Sequence, residues 1–140
     1  MLKSIIRNIF KSLSSDGTTL INKREIGGRG EKIAVKYLKK KGFKILHTNY
    51  QEGHCEVDII ARDNDYYVFV EVKSCYTDKF GDPAEWVTNK KIKYLTKAAK
   101  LFILKNKLEE YPFRFDVVTL KDFGKNRIIE HFPDAFSVDQ

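Results

Sequence analysis

The sequence predicts a single α/β domain, a mixed central sheet flanked by helices, and three observations carry that prediction. Apolar periodicity runs helix, three strands, helix, then one or two strands. The stretch from Glu56 to Lys73, EVDIIARDNDYYVFVEVK, is two β-branched and aromatic runs joined by Arg62-Asp63-Asn64-Asp65, which is an antiparallel hairpin signature. A long helix then precedes the next strand, and a helical crossover favours a parallel addition to the same sheet. The 140 residues, 42% hydrophobic and 32% charged, are one domain's worth and enough for a real core.

Residues 1–24 read as an appendage. Leu2, Ile5, Ile6, Ile9, Phe10 and Leu13 recur at helical spacing with Lys3, Arg7 and Lys11 between them, which makes a short basic amphipathic helix. A helix packed on the domain or left mobile at the terminus is preferred to membrane contact through residues 1–13. The segment lacks the continuous apolar core of a secretory signal, and no apolar run approaches a membrane span. Cys55 and Cys75 show no metal-finger spacing and read as free thiols in a reducing compartment, so a cytoplasmic location is expected.

The domain proper is expected over residues 25–133. Glu25 to Lys41 reads as a helix stopped by Gly42, with Ile26, Ile33, Ala34, Tyr37 and Leu38 as its apolar stripe. Glu31 sits three residues before Ala34 and seven before Leu38, on the edge of that stripe, although a surface glutamate has the same spacing. Phe43 to Tyr50 follows as a strand, with Phe43, Ile45 and His47 expected on one face, and Gln51 to His54 as a loop.

In the hairpin, placing Asp63 and Asn64 in the turn sets Arg62 against Asp65, Glu56 opposite Glu71 and Asp58 opposite Phe69. Alternation with period two then brings Glu56, Asp58, Glu71 and Lys73 out on one face. Opposed side chains lie about 5 Å apart, where like charges are destabilising unless a divalent ion or the Lys73 ammonium compensates them. Charged strand ends are ordinarily just solvated, and edge strands often carry a lysine. The run Tyr66-Tyr67-Val68-Phe69-Val70 argues instead for a central strand covered on both faces, where ionised groups are costly unless paired or metal-bound.

After Lys73 the text turns loop-like through Gly81 and Pro83. A second helix is expected from about Ala84 to Lys107, with Ile92, Leu95, Ala99, Phe102 and Ile103 inward and Lys90, Lys91, Lys93, Lys97 and Lys100 on its other face. Such a run is most often a solvated face. In a chain of net charge +7 and pI near 9.3 it also suits a track of backbone phosphates. Pro112 ends this helix. Phe113 to Leu120 reads as a strand, residues 122–126 as a turn, Arg127 to Phe132 as an edge strand, and residues 134–140 as a loose tail.

The strings GRGEKIAVKYLKKKGFKIL, CEVDIIARD, VFVEVKS, GDPAEWVTNKKIKYLTKAAKLFI and RFDVV, in that order over roughly residues 25–120, resemble the YraN-like family of small bacterial proteins. That family is similar to archaeal-type Holliday junction resolvases of the PD-(D/E)XK, restriction-endonuclease-like fold. The resemblance implies that Asp58, Glu71 and Lys73 match the family's catalytic signature, and that Glu31 matches the acidic residue such nucleases contribute from their first helix. The family's usual glycine before Glu-x-Asp is here Cys55, and the arginine common two residues after the lysine is Cys75.

The expected function is a metal-dependent endonuclease hydrolysing phosphodiester bonds in DNA, with branched or junction DNA as a candidate substrate. Asp58, Glu71, Lys73 and Glu31 would be catalytic, and Asp58, Glu71, Glu31 and Glu56 would hold Mg²⁺ or Mn²⁺. Lys90, Lys91, Lys93 and Lys97 would bind the nucleic-acid backbone without reading bases. A two-fold junction substrate would suit a homodimer, although the chain carries no dimerisation signal. The alternative is a binding module that keeps the fold and the basic face but does not cut.

Overall fold

The protein is described here from a computed structural model that covers residues 23–75, 87–122 and 126–137. The amphipathic segment of residues 1–13 and the loop over residues 76–86 lie outside the described residues.

Helix α1 (Lys23–Lys40) leads into β1 (Lys44–Glu52), β2 (Cys55–Asp63) and β3 (Tyr66–Cys75); α2 (Asn89–Lys105) then precedes β4 (Phe113–Asp122) and β5 (Arg127–Phe136). The strands form one sheet in chain order, antiparallel throughout except for the parallel β3–β4 pair. Crossing from the end of β3 to the start of β4 takes a connection as long as α2, so the parallel pair and the helix require one another. This is the single α/β domain and mixed sheet the sequence predicts, consistent with a restriction-endonuclease-like fold. Among the described residues no helix is long and apolar enough to cross a membrane.

The helices cover opposite faces of the sheet. On one, Ala34 and Leu38 of α1 bury against Ile59, Ala61, Val68, Val70 and Val118. On the other, Leu95, Ala98, Ala99, Phe102 and Ile103 of α2 bury against Val57, Ile60, Tyr67, Phe69 and Phe115. Each fully buried Val, Leu or Phe side chain contributes about 1.5–3 kcal/mol, so β3, covered on both faces, is the anchored centre of the fold. Helix α1 stops where expected: Gly42 takes φ +96°, and the N–H groups of Gly42 and Phe43 donate to the carbonyls of Lys39 and Leu38 at 3.0 Å each. That is a Schellman motif, and it turns Phe43 inward to begin the core. Helix α2 starts later than expected, at Asn89, because Thr88 caps it by accepting from the Lys91 N–H at 3.2 Å. Strand β5 runs on past Phe132 to Phe136 as an edge strand.

Three local readings are corrected. The hairpin turn is Asn64-Asp65, with Asn64 at φ +52°, so Asp63 faces Tyr66 and Ile60 faces Phe69; Asp58 does not face Phe69, nor Glu56 Glu71. The register shift between Ile45 and His47 carries His47 to the α2 side, where its ring meets Phe102, while Phe43 and Ile45 remain on the α1 side. Alternation also breaks in β2: Val57 and Ile60 both pack on the α2 side, with Ile59 on the α1 side between them. The partner strand bends at the same level through Asn49, at φ +51°.

Candidate functional site

The break in β2 falls at Asp58, and it decides how the acidic residues are shared between the two faces. The backbone ladder of the hairpin ends at Ile59 and Val70. Beyond it the Val72 N–H donates to Asp58 Oδ2 at 2.9 Å. Below the break Glu56 alternates away from the α2-facing Cys55 and Val57, and reaches the α1 side together with Asp58. There Glu31 arrives from α1, and one carboxylate oxygen from each of Glu31, Glu56 and Asp58 lies within 4.8 Å of the others. Gly30 allows that approach. A Cβ added there would collide with Ser74 Oγ and come within 3.4 Å of Leu120, so only glycine lets this turn of α1 rest on the ends of β3 and β4.

Glu71 and Lys73 alternate to the α2 side. Lys73 Nζ donates to Glu71 Oε1 at 3.3 Å, and Lys91 Nζ of α2 stands 3.5 Å from the same oxygen. The expected single face of four charged residues is therefore two groups that meet at the sheet's end, split by the irregularity at Asp58. Asp58, Glu71 and Lys73 are 2%, 2% and 1% exposed. Burial pushes the Lys73 ammonium down to about 8 and its neighbour Lys91 acts in the same direction, while Glu71 and Asp58 oppose the shift.

The donor set fits a hard divalent cation. Oxygen ligands from three carboxylates are what Mg²⁺ or Mn²⁺ takes, and such an ion would relieve their mutual repulsion. Three buried oxygens at this end of the sheet, Asp58 Oδ1, Glu71 Oε2 and Thr119 Oγ1, have no hydrogen-bond partner among the described residues, although each carboxylate is held through its other oxygen. Thr119 stands beside Lys73 across the β3–β4 pair. Its hydroxyl was not singled out from the sequence, where a threonine among strand valines reads as ordinary β-propensity.

The other basic candidates separate. Lys90, Lys93 and Lys97 are exposed on α2, but Lys91 has a side chain only 14% exposed and is turned to Glu71, which withdraws it from the expected backbone track. Its phase was readable, since it precedes the buried Leu95 and Ala98 by four and seven residues.

A second buried polar group is centred on Asp116 of β4. Asp116, with no exposed surface, accepts from Arg114 Nε at 3.0 Å and Nη2 at 3.2 Å, from the Asp134 N–H at 3.0 Å, and pairs with His131 Nε2 at 2.8 Å. Arg114 also donates to Asp63 at 3.0 Å. This network ties β4 to β2 and β5, and in the β3–β4 register Asp116 stands opposite Val70, one residue before Glu71.

The model of a family described as "Uncharacterised protein family UPF0102" matches residues 30–120. A UPF0102 protein of Clostridioides difficile is 46% identical over 116 residues, covering 83% of this chain and 100% of the relative. One from a Sulfurihydrogenibium species is 44% identical over 119 residues, 85% of this chain and 100% of the relative. One from Caldicellulosiruptor saccharolyticus is 43% identical over 110 residues, 79% and 93% of the two chains. The chain belongs to the UPF0102 family, the YraN-like group whose motifs its sequence carries.

Proposed function

We propose that this UPF0102 protein is a metal-dependent nuclease that hydrolyses phosphodiester bonds in DNA, with branched or junction DNA as the substrate to try first. The observation that carries the reading is the approach of Glu31, Glu56 and Asp58 to within 4.8 Å of one another, beside a buried Lys73. These three carboxylates would hold Mg²⁺ or Mn²⁺, while Glu71, expected from the sequence as a ligand, stands outside that group on the α2 side with Lys73 and Lys91. Bound there, a divalent cation supplies an acidified water and charge stabilisation for phosphoryl oxygens. The chain's own residues do the rest. Asp58, fixed by the Val72 N–H, holds its carboxylate in one orientation. Glu71 keeps the Lys73 ammonium in place at 3.3 Å. With its pKa brought down to about 8, Lys73 can exchange a proton at Nζ with an attacking water near neutral pH, or neutralise the phosphate when charged.

The test is incubation of the purified chain with branched, flapped, linear and single-stranded DNA in Mg²⁺, Mn²⁺ or EDTA. Cleavage is expected with either metal and none in EDTA. Tight binding with no cleavage of any substrate would replace the nuclease by a binding module.

A further inference from the structure

Among the described residues, most interior and half-buried cations are matched to an acceptor, as is one exposed one. Lys73 and Lys91 share Glu71, Arg114 spans Asp63 and Asp116, and the exposed Lys105 meets Glu52. Lys93, Lys97 and Lys100 differ. All three are exposed, and none pairs with a carboxylate among the described residues. They stand on α2 at four- and three-residue steps, the spacing at which like charges on a helix repel.

These lysines line a groove of about 700 Å³ between α2 and the end of β5, completed by Asn89, Ile92, Thr96, Leu101 and Ser137. Among the described residues no acidic one lines it. Its floor holds the half-buried Ile92 and Thr96, and amide and hydroxyl donors come from Asn89, Thr96 and Ser137. From Lys93 to Lys100 the helix rises about 10 Å. A duplex strand advances about 3.4 Å per phosphate, so the three ammoniums span roughly three phosphates. Lys91, on the core-facing side of the same helix, reaches Glu71 and does not line the groove.

We propose that this groove carries the sugar-phosphate backbone of one nucleic-acid strand, with Lys93, Lys97 and Lys100 as its phosphate contacts. The proposal rests on the nuclease reading for its ligand but not for its test. It keeps Lys93, Lys97 and Lys100 of the expected lysine run, leaves out Lys90 and Lys91, and gives the track a floor. Backbone contacts of this kind position a strand without reading its bases.

The experiment measures affinity of the full chain for a fluorescein-labelled 16-mer, single-stranded and duplex, in EDTA from 50 to 200 mM salt. Wild type is compared with K93Q/K97Q/K100Q and with a control of equal charge change, K36Q/K39Q/K40Q, from exposed lysines of α1, which packs on the other face of the sheet. Losing three phosphate contacts should flatten the slope of log K against log salt by about 2.7 for duplex or about 2.1 for single strands, and the control should keep most of its slope. Equal flattening in both variants, or in neither, would overturn the groove, as would loss of binding only to phosphatidylglycerol vesicles and not to either oligonucleotide. Cleavage in Mg²⁺ is scored in parallel. A flattened slope without any cleavage retains the groove and ends the nuclease reading; cleavage with an unchanged slope does the reverse.

Discussion

The Val72 N–H donates to Asp58 Oδ2 at 2.9 Å, one step beyond the last backbone pair of the hairpin, Ile59 with Val70. A side chain thus closes the ladder where the strands part, and the same carboxylate belongs to the acidic group with Glu31 and Glu56. Fold and site share one residue there. Asp58→Asn separates the two roles, because an amide oxygen can still accept from Val72 but carries no charge. The melting temperature should stay within a few degrees of wild type, while affinity for Mn²⁺, measured by calorimetry, should fall at least tenfold. Unchanged Mn²⁺ affinity would place the metal elsewhere.

Gly30 gives a prediction whose sign depends on its neighbour. In a helix interior, glycine to alanine ordinarily stabilises by about 1 kcal/mol. Here the new methyl meets Ser74 Oγ, and overpacking costs about 1–3 kcal/mol. Gly30→Ala should therefore destabilise wild type yet stabilise the Ser74→Ala background, where the colliding oxygen is gone. Chemical denaturation of the four proteins gives the coupling directly. The same sign in both backgrounds would show that α1 does not rest on Ser74.

What the sequence made legible follows from how local each signal is. The valines of β3 and the Gly42 stop are written within a few residues, and both hold. The hairpin turn is ambiguous because Asp63, Asn64 and Asp65 are all turn formers. The resulting two-residue slip preserves every side chain's face, which is why Glu71 and Lys73 were still placed together. The break at Asp58 is not local. It falls opposite Asn49, at φ +51° in the neighbouring strand, and no periodicity in β2 announces it. Asp116 was passed over because its partners His131 and Asp134 lie 15 and 18 residues away. An aspartate inside the apolar run from Phe115 to Leu120 was nonetheless a signal that a buried partner existed.

Asp116 sets the acid limit of the fold. Burial pushes its carboxyl pKa up, but His131, Arg114 and the Asp134 N–H outweigh burial and hold it below the ordinary carboxylate value. A depressed folded-state pKa means that the unfolded chain binds the proton more tightly. The stabilisation is therefore complete above the unfolded value, about 3.9, and is lost as pH falls through the folded one. Asp116→Asn leaves Arg114 and His131 without their shared carboxylate and should cost about 3–5 kcal/mol at pH 7. Urea denaturation from pH 7 down to 3 should show the gap between wild type and variant closing below about pH 4. A gap that stays constant would mean that the charge contributes nothing.

Lys73 should leave its mark on both stability and rate. Its pKa is lowered to about 8, chiefly by burial and also by Lys91, against the pull of Glu71 and Asp58. The folded protein thus sheds this proton before the unfolded chain does. Between about pH 8 and the ordinary lysine value near 10.4 the unfolded chain binds more protons, and stability in EDTA should rise with pH across that window. Lys73→Ala should remove this rise. In the cleavage assay the same variant should lose at least about 100-fold in rate, the usual contribution of a positioned proton-transfer group. Its DNA affinity should change little, since phosphate attraction is spread over the α2 lysines. Lys91→Gln discriminates between a proton-transfer role and a merely charged one. Removing that neighbouring positive charge raises the Lys73 pKa, so a rate limb belonging to Lys73 must move to higher pH, whereas a limb that stays in place belongs to another group.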